Sequence, residues 1–580
     1  MKRKLFIFAA AVLAVSLIAY SQLKSEAFAP AEDFPRGALV YVQIEDLPAF
    51  AKLWNESEFK NKYLESENFT EFSNRHLGRK LASRWQEFNA AVGFDLDLET
   101  VSGFAQKRAA VAIYDIGRLE FVFIAPVSDE IFTATKLFQN KEKFSSEQLE
   151  NGIEIFRAEV ETDRGRQKQE LVFTHAKDRL IAATSEKLLV QTLGNITGEN
   201  SKNRLFDEPD FAALKDKITT HAATVWANQT ALNEDYYFRR YWLMSDVENL
   251  KNIRAGIFDF EIQKEKFIEH RLLLINKSEN ILPVDALAAE NILPFAPENI
   301  PFYRLKTANS KTLDEAVRQT IFSRRKMGEK NVKRSYRYYS SDDDYYGYEY
   351  YSDLGEKFDE AIDDEEEDFT SAENESKIDF SAAFRRSNPR AVLTFAEPEI
   401  LPAPLFVNFK RAAVFSLNTP QNFDREAFET AITSEFLKIV AIENSATKFR
   451  WETVSENNLS RRELELPMLG FNVSYVLRGN NLFLTNDNKF LSEVLTAENG
   501  KKGDTGFAEL TVINLSESEN AFKNIFGEIG KNTASDGFFR GNVSSLLGSM
   551  KDIEKIEVRK KYLKNILEEE LIFHKSKEKL

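Results

Sequence analysis

Apolar and polar positions alternate along this chain in short blocks, and one block is written twice. LVFTHAKDRLIAATSEKLLVQTL (171–193) lies over VSYVLRGNNLFLTNDNKFLSEVL (473–495) without a gap, at an offset of 473 − 171 = 302. Leu180/Leu482, Lys187/Lys489, Leu189/Leu491 and Leu193/Leu495 coincide. Each copy reads as strand, turn, strand, helix. Lys177-Asp178 and Gly479-Asn480 supply turn residues at the same place, and Ser185 and Asp487 are matching helix N-caps. The residue types differ while the physical role is kept.

The same patterning predicts the surrounding elements. ALVYVQI (38–44) reads as a buried strand, followed by a helix capped by Asp46 with Pro48 in its first turn. Leu81, Trp85, Phe88 and Val92 recur at helical spacing, and Gly93 stands where a left-handed C-terminal residue is wanted. RAAVAIY (108–114) and LEFVFIAPV (119–127) read as a hairpin turning at Asp115-Ile116-Gly117, after which Asp129 caps a helix. FDLDLE (94–99) reads as a helix-to-strand connection. Two fainter matches extend the repeat: KRAAV at 107–111 and 410–414, and ENLKNI (248–253) with DIEKIE (552–557), offset 304. Arg390-Ala391-Val392-Leu393 is a rival partner for the 108–114 strand, so the register between 380 and 430 stays open.

A period this long excludes a solenoid, whose repeats run about 20–50 residues. The expected class is α+β: two similar halves, 35–280 and 290–580, joined through the proline-spaced segment 282–301. At 580 residues the chain exceeds a single core, and 48 Phe make aromatic packing dominant. A net charge of −15 excludes a nucleic-acid partner, because phosphate binding needs a basic surface. The absence of cysteine removes disulfides, thiolate catalysis and zinc–thiolate sites.

Two segments stand apart. Residues 1–29 read as a signal peptide or membrane anchor: Lys2, Arg3 and Lys4 precede the apolar run Leu5–Tyr20. As a helix that run measures about 24 Å, short of a hydrocarbon core of about 30 Å, which favours a cleaved signal. Ala27-Phe28-Ala29 is followed by the blocking Pro30, so Ala19/Ser21 and Ser25/Ala27 remain alternative cleavage signals. Residues 324–378 form an insertion of the second half. Seven Lys/Arg against one acid (324–337) are followed by sixteen acids against one Lys (342–375), and disorder is expected there.

Candidate chemistry is sparse. His76, His175, His221, His270 and His574 include no pair within a helical turn, so a histidine site needs long-range assembly. No GxSxG, P-loop or GxGxxG occurs, and Ser57–Lys60 satisfies SxxK without its companion motifs. Asp342, Asp344 and Asp353 fall at calcium-loop positions, but Tyr346 breaks the pattern and a solvated acidic run is the better reading. Tyr237, Arg239, Arg240 and Trp242 form the densest aromatic–cationic cluster, a surface able to stack a ligand, although inward packing is the stronger reading. No catalytic residue and no cofactor is expected.

GALVYVQI, the helix ending in Gly93-Phe94-Asp95, KRAAVAIY and Arg179-Leu180-Ile181-Ala182-Ala183-Thr184-Ser185 together resemble the "domain of unknown function 3352" family of exported bacterial proteins. The resemblance covers most of 35–270 and, more faintly, 290–575. It implies a bacterial envelope protein with an N-terminal membrane signal, and carries no catalytic residues with it. The expected function is binding rather than catalysis: an envelope protein or an apolar or lipid ligand as partner, with membrane contact through the N-terminal segment and the body outside the cytoplasm, periplasmic or anchored at the inner membrane. The alternative is a carboxylate-dependent hydrolase of cell-wall glycans, since paired acids leave no local motif.

Overall fold

The computed structural model describes residues 29–74, 76–149, 152–160, 169–199, 203–235, 237–238, 252–276, 281–297, 300–322, 325–326, 378–397, 406–407, 410–440, 449–456, 459–466, 471–497, 506–515 and 552–576. The predicted signal, the calcium-loop acids and nearly all of the charged insertion lie outside this set. Among the described residues no helix is long and apolar enough to cross a membrane.

The strands in chain order begin with β1 (Val40–Ile44), β2 (Ala109–Asp115), β3 (Glu120–Pro126), β4 (Ser145–Gln148) and β5 (Glu154–Val160). There follow β6 (Gln169–Ala176), β7 (Arg179–Ala183), β8 (Ala223–Ala227), β9 (Ile253–Ile262), β10 (Lys266–Ile275) and β11 (Phe302–Thr307). Next come β12 (Arg325–Lys326), β13 (Pro389–Glu397), β14 (Phe406–Val407), β15 (Lys410–Leu417) and β16 (Trp451–Glu456). The last are β17 (Leu459–Leu466), β18 (Phe471–Arg478), β19 (Asn481–Thr485), β20 (Glu509–Asn514), β21 (Ile553–Leu563) and β22 (Ile566–Lys575). With helices interspersed, the class is α+β.

The chain divides into two compact units, and these do not follow the sequence halves. The first comprises 1–289, 298–307 and 502–580; the second comprises 290–297 and 308–501. Strand pairing explains the difference, because β20–β22 add to β10 and so belong with the N-terminal strands.

In the first unit one antiparallel sheet runs β4-β5-β6-β7-β3-β2-β1-β8-β9-β10-β22-β21-β20-β11. Strand alternation sends Val42 to one face and Tyr41 to the other. Val42's face packs against the helices Leu47–Glu56 and His76–Val92 through Phe50, Trp54, Trp85 and Phe88. Tyr41's face packs against the helices Glu186–Thr197 and Pro209–Lys215 through Leu189, Leu193 and Phe211.

In the second unit the order is β13-β15-β19-β18-β17-β16, again antiparallel. Its core gathers Phe380, Phe384, Phe415, Phe428 and Phe436 with the helices Ser310–Ile321 and Arg425–Val440.

The twice-written block folds as read. Val172↔Ala183 through Ala176↔Arg179 in β6–β7 has the register of Ser474↔Thr485 through Arg478↔Asn481 in β18–β19, each position displaced by 302. Ser185 caps its helix at Leu188 N–H and Asp487 caps its own at Phe490 N–H. Between 380 and 430, β13, holding Arg390–Leu393, lies beside β15 as β2 lies beside β3, the arrangement that the rival alignment expects. KRAAV of 410–414 therefore sits one strand later, in β15. The hairpins β9–β10 and β21–β22 start at 253 and 553, a spacing of 553 − 253 = 300 rather than 304.

Three local readings need correction. Asp97 caps a short helix, Leu98–Ser102, so FDLDLE joins helix to helix. Ser128 caps the helix that begins at Asp129, which leaves the Asp129 carboxylate free to meet His175. The 115–117 turn is longer than read, closing through Leu119 at a φ of 55°.

Candidate functional site

Strands whose inward positions should be apolar carry instead a row of polar side chains across the first unit. Gln43 of β1 stands opposite Thr224 of β8, Thr224 opposite Asp259 of β9, and Asp259 opposite His270 of β10. His270 is opposite Glu570 of β22, and Glu570 opposite Arg559 of β21. Because alternation is strict, all six lie on Tyr41's face of the sheet.

The centre of the row is an imidazole–carboxylate cluster. Asp259 is fully buried and accepts from the His221 backbone N–H (2.9 Å), the Thr224 hydroxyl (2.9 Å) and His221 Nδ1–H (2.5 Å). A carboxylate only accepts, so His221 carries its neutral-form proton on Nδ1 and turns Nε2 outward. That Nε2 lies 3.7 Å from Glu261 Oε2, and His270 Nε2 lies 3.4 Å from the same oxygen. His270 Nδ1 is 3.8 Å from Glu570 Oε1, and the two rings stack with centroids 5.8 Å apart. Arg559 closes the row on Glu570 at 3.2 Å.

The hydrogen bond that His221 donates to Asp259, opposed by burial and helped by the charges of Asp259 and Glu261, raises the His221 pKa above its ordinary value. Burial alone would raise Glu261, but Gln263's amide, His270 and both imidazole charges bring its carboxyl below the usual range. The rings are about a third exposed, so the cluster is accessible. Chemically it holds and exchanges protons. Among the described residues no three His, Cys, Asp or Glu side chains form a set that could hold a metal ion.

The opposite face carries a second cross-strand row: Lys306, Glu509, Lys560, Glu569 and Arg271 alternate in sign over β11, β20, β21, β22 and β10. Arg271 is gripped by Glu269 at 2.7 and 3.0 Å and reaches Glu569 at 3.5 Å, and both acids are nearly buried. In the second unit an open hollow of about 480 Å³ lies at the Gly479-Asn480 turn. Its lining mixes Pro294, Phe295 and Leu495 with Arg478, Asn480 and Asn481.

Of the residues singled out from sequence, Tyr237 is half-buried: its ring lies under Lys80 Nζ at 4.0 Å and against Gly117, where a Cβ would collide with it. Arg239, Arg240 and Trp242, like Asp342, Asp344 and Asp353, lie outside the described residues. Ser57 of the SxxK match caps the helix Glu58–Leu64. His175 stacks on Phe132 at 4.7 Å, with Asp129 and the Val127 carbonyl at its two nitrogens. His221 and His270, 49 residues apart, were not joined by any spacing rule. The available signal was Asp259, Glu261 and His270 at alternate positions of two adjacent strand-like runs.

No family model matches the chain, and no curated protein is significantly similar to it. Among solved structures, crystal form I of TP0453 aligns at 10% identity over 44% of this chain and 82% of that one, with a TM-score of 0.22. Crystal form III aligns at 11% identity over 45% and 84%, with a TM-score of 0.23. Superposition at that level supports no statement about function.

Proposed function

We propose that this chain is an exported bacterial cell-envelope protein that binds a partner rather than transforming a substrate, and that two copies of one α+β unit were fused to build it. Support for the fusion comes from the matched β6–β7 and β18–β19 registers and from equivalent helix caps. Support for export comes from the cationic start and apolar run at residues 2–20, and from the resemblance to the "domain of unknown function 3352" family.

The observation that carries binding over catalysis is the state of the acids. A glycan hydrolase needs two carboxyls facing a shared reaction space. Here Asp259 is filled by three donors, Glu570 is held by Arg559, and Glu269 and Glu569 share Arg271. The ligand we favour is apolar or lipid; the hollow beside Phe295 and Leu495 is one open place for it, although its lining is as polar as it is apolar. An envelope protein is the other occupant. Affinity capture of the full chain from detergent-solubilised envelope, with lipids and proteins identified by mass spectrometry, tests this. Capture should enrich one lipid class or one protein. Recovery of background alone removes the proposal.

A further inference from the structure

The imidazole cluster sits where the C-terminal hairpin β21–β22 joins β10, and its geometry is complete in only one protonation state. With both rings neutral, His221 gives its proton to Asp259, and its Nε2 lone pair points at the lone pairs of Glu261 Oε2, 3.7 Å away. His270 is placed between two acceptors, Glu261 at 3.4 Å and Glu570 at 3.8 Å, and a neutral ring donates to only one of them. Adding a proton to each ring turns every one of these facings into a donor–acceptor contact.

The charges agree with the geometry. Facing the rings from β9 are Asp259 and Glu261, from β22 Glu570, and from β21 Arg559. Next along the same face are Glu557, Lys555 and His574, where Glu557 takes Lys555 at 2.7 Å and Arg559 at 2.9 Å. The helix Pro209–Lys215, which packs on β9 and β10, contributes Asp210, already paired with Arg254. Three carboxylates around the rings are therefore matched by one guanidinium when the rings are neutral. They are matched by three cations when both rings are charged.

We propose that His221 and His270 form a proton-operated clasp on the β9–β10–β22 junction, closed when both imidazoles are charged and loosened when they are neutral. This is independent of what the protein binds. The sign follows from the raised His221 pKa. The stabilisation is fully present below the unfolded value of about 6.5 and is lost as pH rises through the higher folded value.

The test is urea unfolding of the full chain, with and without chelator, from about pH 5.5 to about pH 8.5. The unfolding constant of the wild type should rise by up to about tenfold per pH unit for each proton released across the upper part of that range. His221→Gln with His270→Gln should flatten the profile there. An identical slope in the double variant, or a flat wild-type profile, overturns the clasp, as does a slope that appears only without chelator. If the double variant fails to fold, ring NMR of the wild type labelled with ¹⁵N-histidine decides. A His221 ring with a midpoint above 6.5 supports the clasp; a His221 ring already neutral at pH 6 overturns it.

Discussion

His270 and Glu570 face each other at the centre of the β10–β22 ladder, and 570 − 270 = 300 is also the spacing of the two hairpins they belong to. Lys266 pairs with His574 and Leu274 with Ile566, so the ladder is symmetric about this pair. An isologous contact between two copies of one hairpin has this form, each strand meeting its own counterpart. It supports the fusion proposed above. On that proposal the polar cluster lies where the two copies meet, with histidine on one strand and glutamate at the matching place on the other.

Removing Asp259 should be costly. Its carboxylate satisfies two donors of His221 and the Thr224 hydroxyl in a fully buried position. Asp259→Ala leaves those donors without an acceptor and should destabilise by about 3–5 kcal/mol, whereas Asp259→Asn should lose less. Urea midpoints at pH 6 for both variants check the order.

The paired caps give a test of equivalence. Ser185→Ala and Asp487→Ala should each cost about 1 kcal/mol. The exchanges Ser185→Asp and Asp487→Ser should be near neutral, because either residue type accepts from the third N–H of the helix. Thermal unfolding of the four variants reads this directly.

Arg271 holds Glu269 and Glu569, each only 7% exposed. Truncation to alanine strands Glu269, while Glu569 keeps Lys560 at 2.9 Å, and should cost about 3 kcal/mol. Arg271→Met with Glu269→Leu should recover most of that loss, since it removes the stranded carboxylate and leaves Glu569 with Lys560. Denaturant unfolding of the single and double variants makes the comparison.

Asp33 should titrate inside the experimental range. Burial raises its carboxyl pKa from 3.8 to about 6, although Arg179 at 2.9 Å pulls the other way. A raised acid contributes stability that is present below about 4 and lost as pH rises through about 6. Asp33→Asn should abolish that slope, and Arg179→Ala should move the titration higher still, which carboxyl NMR can follow.

Much of the local structure was legible from residues. The turn at Gly479, the caps at Asp46, Ser185 and Asp487, and the left-handed Gly93 each depend on chemistry within a few positions. Legibility failed first where two neighbours compete for one role, as Ser128 and Asp129 did for a cap. It failed next where similar apolar strings fit more than one strand. KRAAV at 410–414 resembles the start of β2 but lies in β15, which pairs with β13 and β19 as β3 pairs with β2 and β7, because a short buried strand advertises only its burial.

By itself the chain's order of residues determined the alternating strands, the capped helices and the block repeated 302 positions apart, since these follow from periodicity and near-neighbour hydrogen bonding. Only the tertiary structure decided that β22 would lie against β10, bringing His221, Glu261, His270 and Glu570 together from distant parts of the chain. The reason is that cross-strand pairing is chosen by the global burial of sheet faces, and no local spacing records which edge will meet which.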